Sequence, residues 1–145
     1  MKDIFSKLKK EIDERENLRE KMIVLSRPVI KNSKQAIYAL HRDDVVSAKK
    51  FLDKAKSGLE TLQGLLKKDP NLFDGSYTSA AQEYAEAACY YYYSTESRLV
   101  SNSELGIDGE NYLLGVCDLT GELARRAVLL VVNENSGEVF KIKEF

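Results

Sequence analysis

Apolar residues recur at three- and four-residue steps along most of the chain, and the stretches that break this rhythm are short. From Asp3 to His41 the pattern predicts one long amphipathic helix. Leu18, Met22, Leu25, Val29, Ala36 and Leu40 mark its apolar side, while Glu11, Glu14, Arg15, Arg19, Glu20 and Lys21 fill the others. Pro28 falls inside this helix, where it removes a backbone hydrogen bond at a cost of about 3 kcal/mol. The stripe continues in phase beyond it, which predicts a kink rather than a break. Asp43-Asp44 can cap a second helix, carried to about Lys67 by Val45, Ala48, Leu52, Ala55, Leu59, Leu62 and Leu66. Lys67-Lys68 suit the negative end of its dipole, Asp69-Pro70 stops it, and Asn71 to Tyr77 reads as a loop.

Ser79 with Gln82 forms a capping box for a third helix, from about Thr78 to Val100. Ser101 to Gly109 is a connection rich in Ser, Asn and Gly. A fourth helix runs from about Glu110 to Asn133, and Asn133 to Gly137 closes it. Val139 to Phe145 begins an amphipathic pattern without continuing it, as a shortened version of a longer parent would. There is no internal repeat, and no heptad run long enough for an extended coiled coil. The expected architecture is therefore all-α, an antiparallel helical bundle in one domain spanning 1–145.

Composition supports this reading. In 145 residues there are only 8 Gly and 2 Pro, too little turn chemistry for many short strands. The net charge of -1 confines any basic footprint to a local patch. Cys89 and Cys117 lie in apolar helical contexts without C-x-x-C spacing, as expected of buried thiols in a reducing cytoplasm. The start, Met1-Lys2-Asp3-Ile4, has no uncharged run that reads as a signal peptide, and Ala127 to Val132 is far too short for a membrane span. A cytoplasmic protein without membrane attachment is expected. Neither a Walker A nor a Rossmann glycine pattern occurs, and His41, the sole histidine, has no nucleophile near it in sequence for a triad.

Two acidic phrases stand out: Gln82-Glu83-Tyr84-Ala85-Glu86 and Asp118-Leu119-Thr120-Gly121-Glu122. Each sets two acids three or four residues apart, on one side of a helix that otherwise reads as buried. Carboxylates there are costly unless a positive group meets them, and a hard cation such as Mg²⁺ or Mn²⁺ prefers oxygen ligands. Ala80, Ala81, Ala85, Ala87 and Ala88 allow close helix approach around the first phrase. Gly115 and Gly121 each cost about 1 kcal/mol inside a helix, which calls for a packing or ligand reason. Solvated faces and salt bridges to Arg98, Arg125 or Arg126 are the alternative. Tyr90 to Tyr93 point all round their helix, so some pack in the core; stacking on unpaired bases is the functional reading. Arg27, Lys31, Lys34 and Arg42 recur at helical steps, either as a solvated face or as a track for a phosphate backbone.

These residues also carry a resemblance. Leu25-Ser26-Arg27 to Ala39-Leu40-His41-Arg42 resembles the first helix of Trax, the partner of translin. Gln82 to Ala87 resembles the Q-E-Y-x-E-A phrase of the translin/Trax family, and Asn111 to Leu123 resembles its Y-L-L-G-V-x-D-L-T-G-E-L signature. The resemblance implies a translin-like helical fold that assembles into a hollow homo-oligomer, commonly an octamer, enclosing single-stranded RNA or DNA. For Trax-type subunits it implies Mg²⁺-dependent endoribonuclease activity. The matching catalytic positions are Glu83, Glu86 and Asp118, also the expected metal ligands, with Glu122 as a fourth member. Arg27, Lys34, Arg42 and Tyr90 are the expected nucleic-acid contacts. Family members carry further C-terminal helices, so for a chain ending at Phe145 the resemblance implies a smaller oligomer, an exchanged arrangement or no enclosed chamber. A binding module without cutting activity and a helical scaffold remain the alternatives.

Overall fold

A computed structural model describes residues 2–69, 72, 75–132 and 142. Among these residues, five helices follow in order: α1 (Lys2–His41), α2 (Val45–Lys68), α3 (Gly75–Glu96), the single turn α4 (Asn102–Leu105) and α5 (Gly109–Val132). No strand occurs among the described residues, so the all-α expectation holds.

The two ends of α1 behave differently. Toward its start, Ile4, Phe5, Leu8 and Ile12 are exposed by 47–68%, whereas Met22, Val29, Ala36 and Leu40 are at most 4% exposed. The bundle therefore begins near Met22, and the first turns of α1 project beyond it. Pro28 sits within the helix without ending it. At the far end, Asp44 accepts the Ser47 amide at 3.0 Å and opens α2, as its sequence position predicts.

α3 is the central helix, packed against α1, α2 and α5. Its alanines explain this: Ala80, Ala81, Ala85, Ala87 and Ala88 are all fully buried, and small side chains let neighbouring helices approach from several sides. Two boundaries differ from the expected ones. α3 starts at Gly75, so Ser79 lies inside the helix and does not cap it. It ends at Glu96, because Ser97 takes a positive φ of 54° and the chain turns away. The cysteines divide as well. Cys89 is buried on α3 as expected, but Cys117 is exposed, because it falls on the solvent side of α5.

The connection from Ser101 also contains structure. Ser101 and Glu104 form a reciprocal capping box, and Gly106 at φ 68° closes α4 in the left-handed conformation that glycine tolerates. Tyr112 then donates from its hydroxyl to the Val100 carbonyl at 2.7 Å, tying α5 to the end of this connection. The expected segment Val139 to Phe145 lies outside the described residues except for Ile142, which packs against the core. Among the described residues, no helix is long and apolar enough to cross a membrane.

Candidate functional site

The two acidic phrases meet because α5 lies directly on α3. A Cβ at Gly115 would stand 2.7 Å from both the Ala85 Cβ and the Gln82 carbonyl oxygen, and 3.0 Å from the Glu86 amide nitrogen. Only glycine permits that approach, which is the packing reason expected for it. Gly121 has no such reason: nothing would lie within 4 Å of a Cβ there. Gln82 strengthens the contact by donating to the buried Asn111 at 3.2 Å, and Asn111 donates to Asp108 at 2.8 Å. Asp118 and Glu122 follow Gly115 at three and seven residues, on the same side of α5.

The acids do not share one environment. Glu86 is 9% exposed, among fully buried Ala85, Ala87 and Ala88. Burial, and then the negative charges of Glu83, Glu122 and Asp118, push its carboxyl up to about 7, against a smaller pull from Lys34. Asp118 is exposed, and Glu83 and Glu122 keep 25% and 22% of their side chains in solvent.

α1 supplies the positive groups. Lys34 Nζ lies 3.1 Å from Glu83 Oε1, and that hydrogen bond and charge hold the ammonium above its usual range. His41 Nε2 lies 2.5 Å from Glu122 Oε2, with the imidazole only 7% exposed. The other ring nitrogen, Nδ1, is 3.3 Å from the Tyr90 hydroxyl. Positions 27, 34 and 41 differ by seven, so Arg27, Lys34 and His41 line up along α1 with little angular drift.

Of the sequence-predicted site residues, Glu83, Glu122 and Asp118 lie near enough to Glu86 for their charges to act on it. Arg27 on α1 and Arg42, in the turn just after it, are both exposed. Lys34 is half exposed but engages Glu83, so its charge is directed at the acids as well as at solvent. Tyr90 is 2% exposed and its ring packs against His41 at a centroid distance of 5.3 Å. Its face is therefore taken up inside the protein and is not offered to a base. The other tyrosines of the run, Tyr91, Tyr92 and Tyr93, are partly buried. His41 is the residue that sequence reasoning passed over: its partner lies 81 positions away, and no local pattern announces it.

The donor set suits a hard cation, because Glu86 faces three carboxylates and a single divalent ion would relieve that repulsion. As the side chains stand, Glu83 and Glu122 are drawn toward Lys34 and His41. Among the described residues, no three acids, histidines or cysteines are gathered closely enough to hold an ion.

Comparison with known proteins adds lineage to this geometry. A model of the Translin family matches residues 17–145. Translin-associated protein X of Rattus norvegicus is 26% identical over 182 aligned positions, covering 97% of this chain and 63% of that protein. The chain thus spans about three fifths of that relative's length. The crystal structure of apo-NeC3PO superposes with a TM-score of 0.89 at 32% identity, over 97% of this chain and 75% of the other. The AfC3PO–duplex RNA complex superposes with a TM-score of 0.87 at 22% identity, over 97% and 72% of the two chains, an agreement of fold.

Proposed function

The chain belongs to the Translin family, and from that premise we propose that it is a metal-dependent endoribonuclease subunit that binds and cleaves single-stranded RNA within a homo-oligomer. The observation that carries this reading is the buried Glu86 carboxylate, ringed by Glu83, Asp118 and Glu122 where Gly115 brings two helices into contact. Such a set is unfavourable for folding, and carboxylates raised by burial and like charge cluster at functional sites. The duplex RNA in the AfC3PO complex, a chain of the same fold, supports the nucleic-acid side of the reading.

Glu83, Glu86 and Asp118 would hold Mg²⁺ or Mn²⁺, which when bound supplies Lewis-acid polarisation of a phosphate oxygen and activation of water. The chain's own residues do the rest. Glu86 is held rigidly in the helix contact and presents its charge from a low-dielectric wall. Asp118, at the exposed side of the cluster, is where a phosphodiester would arrive. Glu122, fixed by His41, is placed to orient an attacking water or accept its proton. Arg27 on α1 and Arg42 just past its end supply phosphate contacts, with Lys34 moving between Glu83 and the RNA backbone.

The test is cleavage of end-labelled single-stranded RNA with Mg²⁺, against EDTA and against Glu86→Ala. A loss on the order of a hundredfold or more is expected in both; undiminished cutting in either sinks the assignment. A second reading, a non-catalytic single-stranded RNA- or DNA-binding protein, is favoured by the pairing of Glu83 and Glu122 with Lys34 and His41. It predicts salt-sensitive binding that ignores Mg²⁺, with no cleavage.

A further inference from the structure

The cluster is attached to α1 at one buried point, and the attachment is two-handed. Glu122 and Arg126, one turn apart on α5, both grip His41. Glu122 Oε2 accepts from Nε2 at 2.5 Å, and Arg126 Nη1 donates to the His41 carbonyl oxygen at 3.5 Å. That carbonyl is one of the unsatisfied groups at the end of α1, so the guanidinium caps the helix while its other nitrogen donates to Asp43 at 2.6 Å. Behind the ring, Tyr90 blocks rotation. Burial pushes the Tyr90 hydroxyl up to about 12, so it stays protonated and able to donate to Nδ1. With Nδ1 accepting, the hydrogen sits on Nε2, aimed at Glu122. Arg125 is no substitute, standing 3.9 Å from Glu122 with over half its side chain in solvent.

We propose that His41 is a positioning residue, held from behind by Tyr90, that fixes the Glu122 carboxylate beside Glu83, Glu86 and Asp118. By taking Oε2, it sets the carboxylate's rotation and leaves Oε1 as the oxygen available to a cation or a water. This role rests on the metal-site reading above. It also accounts for a buried histidine with no nucleophile to serve.

The conservative pair His41→Gln and His41→Asn separates positioning from simple filling. Glutamine can place an amide N–H near the position of Nε2; asparagine reaches only as far as Nδ1. In the 145-residue chain, Mn²⁺ binding without RNA is measured by calorimetry, together with RNA cleavage. His41→Asn should lose about tenfold in kcat and bind Mn²⁺ about tenfold more weakly, with KM for RNA little changed. His41→Gln should recover most of both. Equal impairment of the two variants, or a wild-type His41→Asn, overturns the role.

Glu86→Gln is the control. If it too binds Mn²⁺ and cleaves like the wild type, the metal-site reading falls and this role with it. If Glu86→Gln is dead while His41→Asn is unaffected, only the role of His41 falls. A third readout needs no metal. In metal-free wild-type protein, the His41 Nε2 proton should give a slowly exchanging, downfield NMR signal that vanishes in Glu122→Ala. A ring protonated on Nδ1 alone overturns the proposal whatever the variants do.

Discussion

The phrase on α3 and the phrase on α5 have nearly the same acid spacing and opposite surroundings. On α3, Glu86 is packed among alanines and carries the cluster's electrostatic strain; on α5, Asp118 stands in solvent. The difference comes from the helices, not the acids. α3 is contacted from three sides, so no position from Ala80 to Tyr93 is exposed, whereas α5 touches the bundle along one stripe through Gly115, Leu119 and Leu123. Two carboxylates therefore have unequal jobs. The α3 carboxylate carries the energetic cost of the site, and the α5 carboxylate provides its access.

Glu86→Gln tests that contrast most strongly. The Glu86 carboxyl is raised from an ordinary value of 4.5 to about 7. In that window the folded state keeps a proton that the unfolded state has lost, so stability falls as pH rises from about 4.5 to 7 and stays low above it. Each pH unit crossed in that window costs about 1.4 kcal/mol, so neutral glutamine should gain on the order of 3 kcal/mol at pH 8 in metal-free protein, and nothing at pH 4. Thermal melting at both pH values checks this. A variant that melts no higher than the wild type at pH 8 would break the account of strain at Glu86. Added Mg²⁺ should raise the wild-type midpoint by mass action and leave the variant's unmoved.

The glycines sharpen the same comparison at smaller scale. Gly115→Ala forces a methyl onto Ala85 and the Gln82 carbonyl, and should cost about 1–3 kcal/mol by denaturant unfolding. Gly121→Ala meets open space and should gain about 0.5–1 kcal/mol from helix propensity alone. If the two substitutions behaved alike, the close approach at Gly115 would not be what joins the phrases.

Asp118→Asn should change stability least, by less than about 0.5 kcal/mol, as for an exposed surface position. Its Mn²⁺ affinity should nevertheless fall clearly in calorimetry. A large stability change without an effect on the metal would reverse the division of labour between the phrases.

Much of the fold could be read in advance. The stripe from Met22 to Leu40, the Asp44 cap and the alanine-rich α3 are local patterns, and local patterns survive folding when burial agrees with them. Two misses had readable signals. Ser101-Asn102-Ser103-Glu104 is a capping-box sequence hidden in a stretch that resembles a loop, and Gly75 begins α3 earlier than the Ser79 box implies. Tyr90 was harder, because four successive tyrosines point in all directions and only the neighbours decide which one is buried. Gly121 carried the same sequence signal as Gly115, and only the approach of α3 separates them.

By itself, the sequence determined the helical class and the near-exact spans of α1, α2 and α5. These depend on periodicity and on residues within one or two turns, where backbone geometry leaves little choice. Tertiary structure alone decided which acid is buried, and that Lys34 meets Glu83 and His41 meets Glu122. Those pairings join positions far apart in the chain, and a carboxylate's proton affinity depends on the dielectric and charges that packing brings around it. The same four acids in a looser bundle would be an ordinary solvated face.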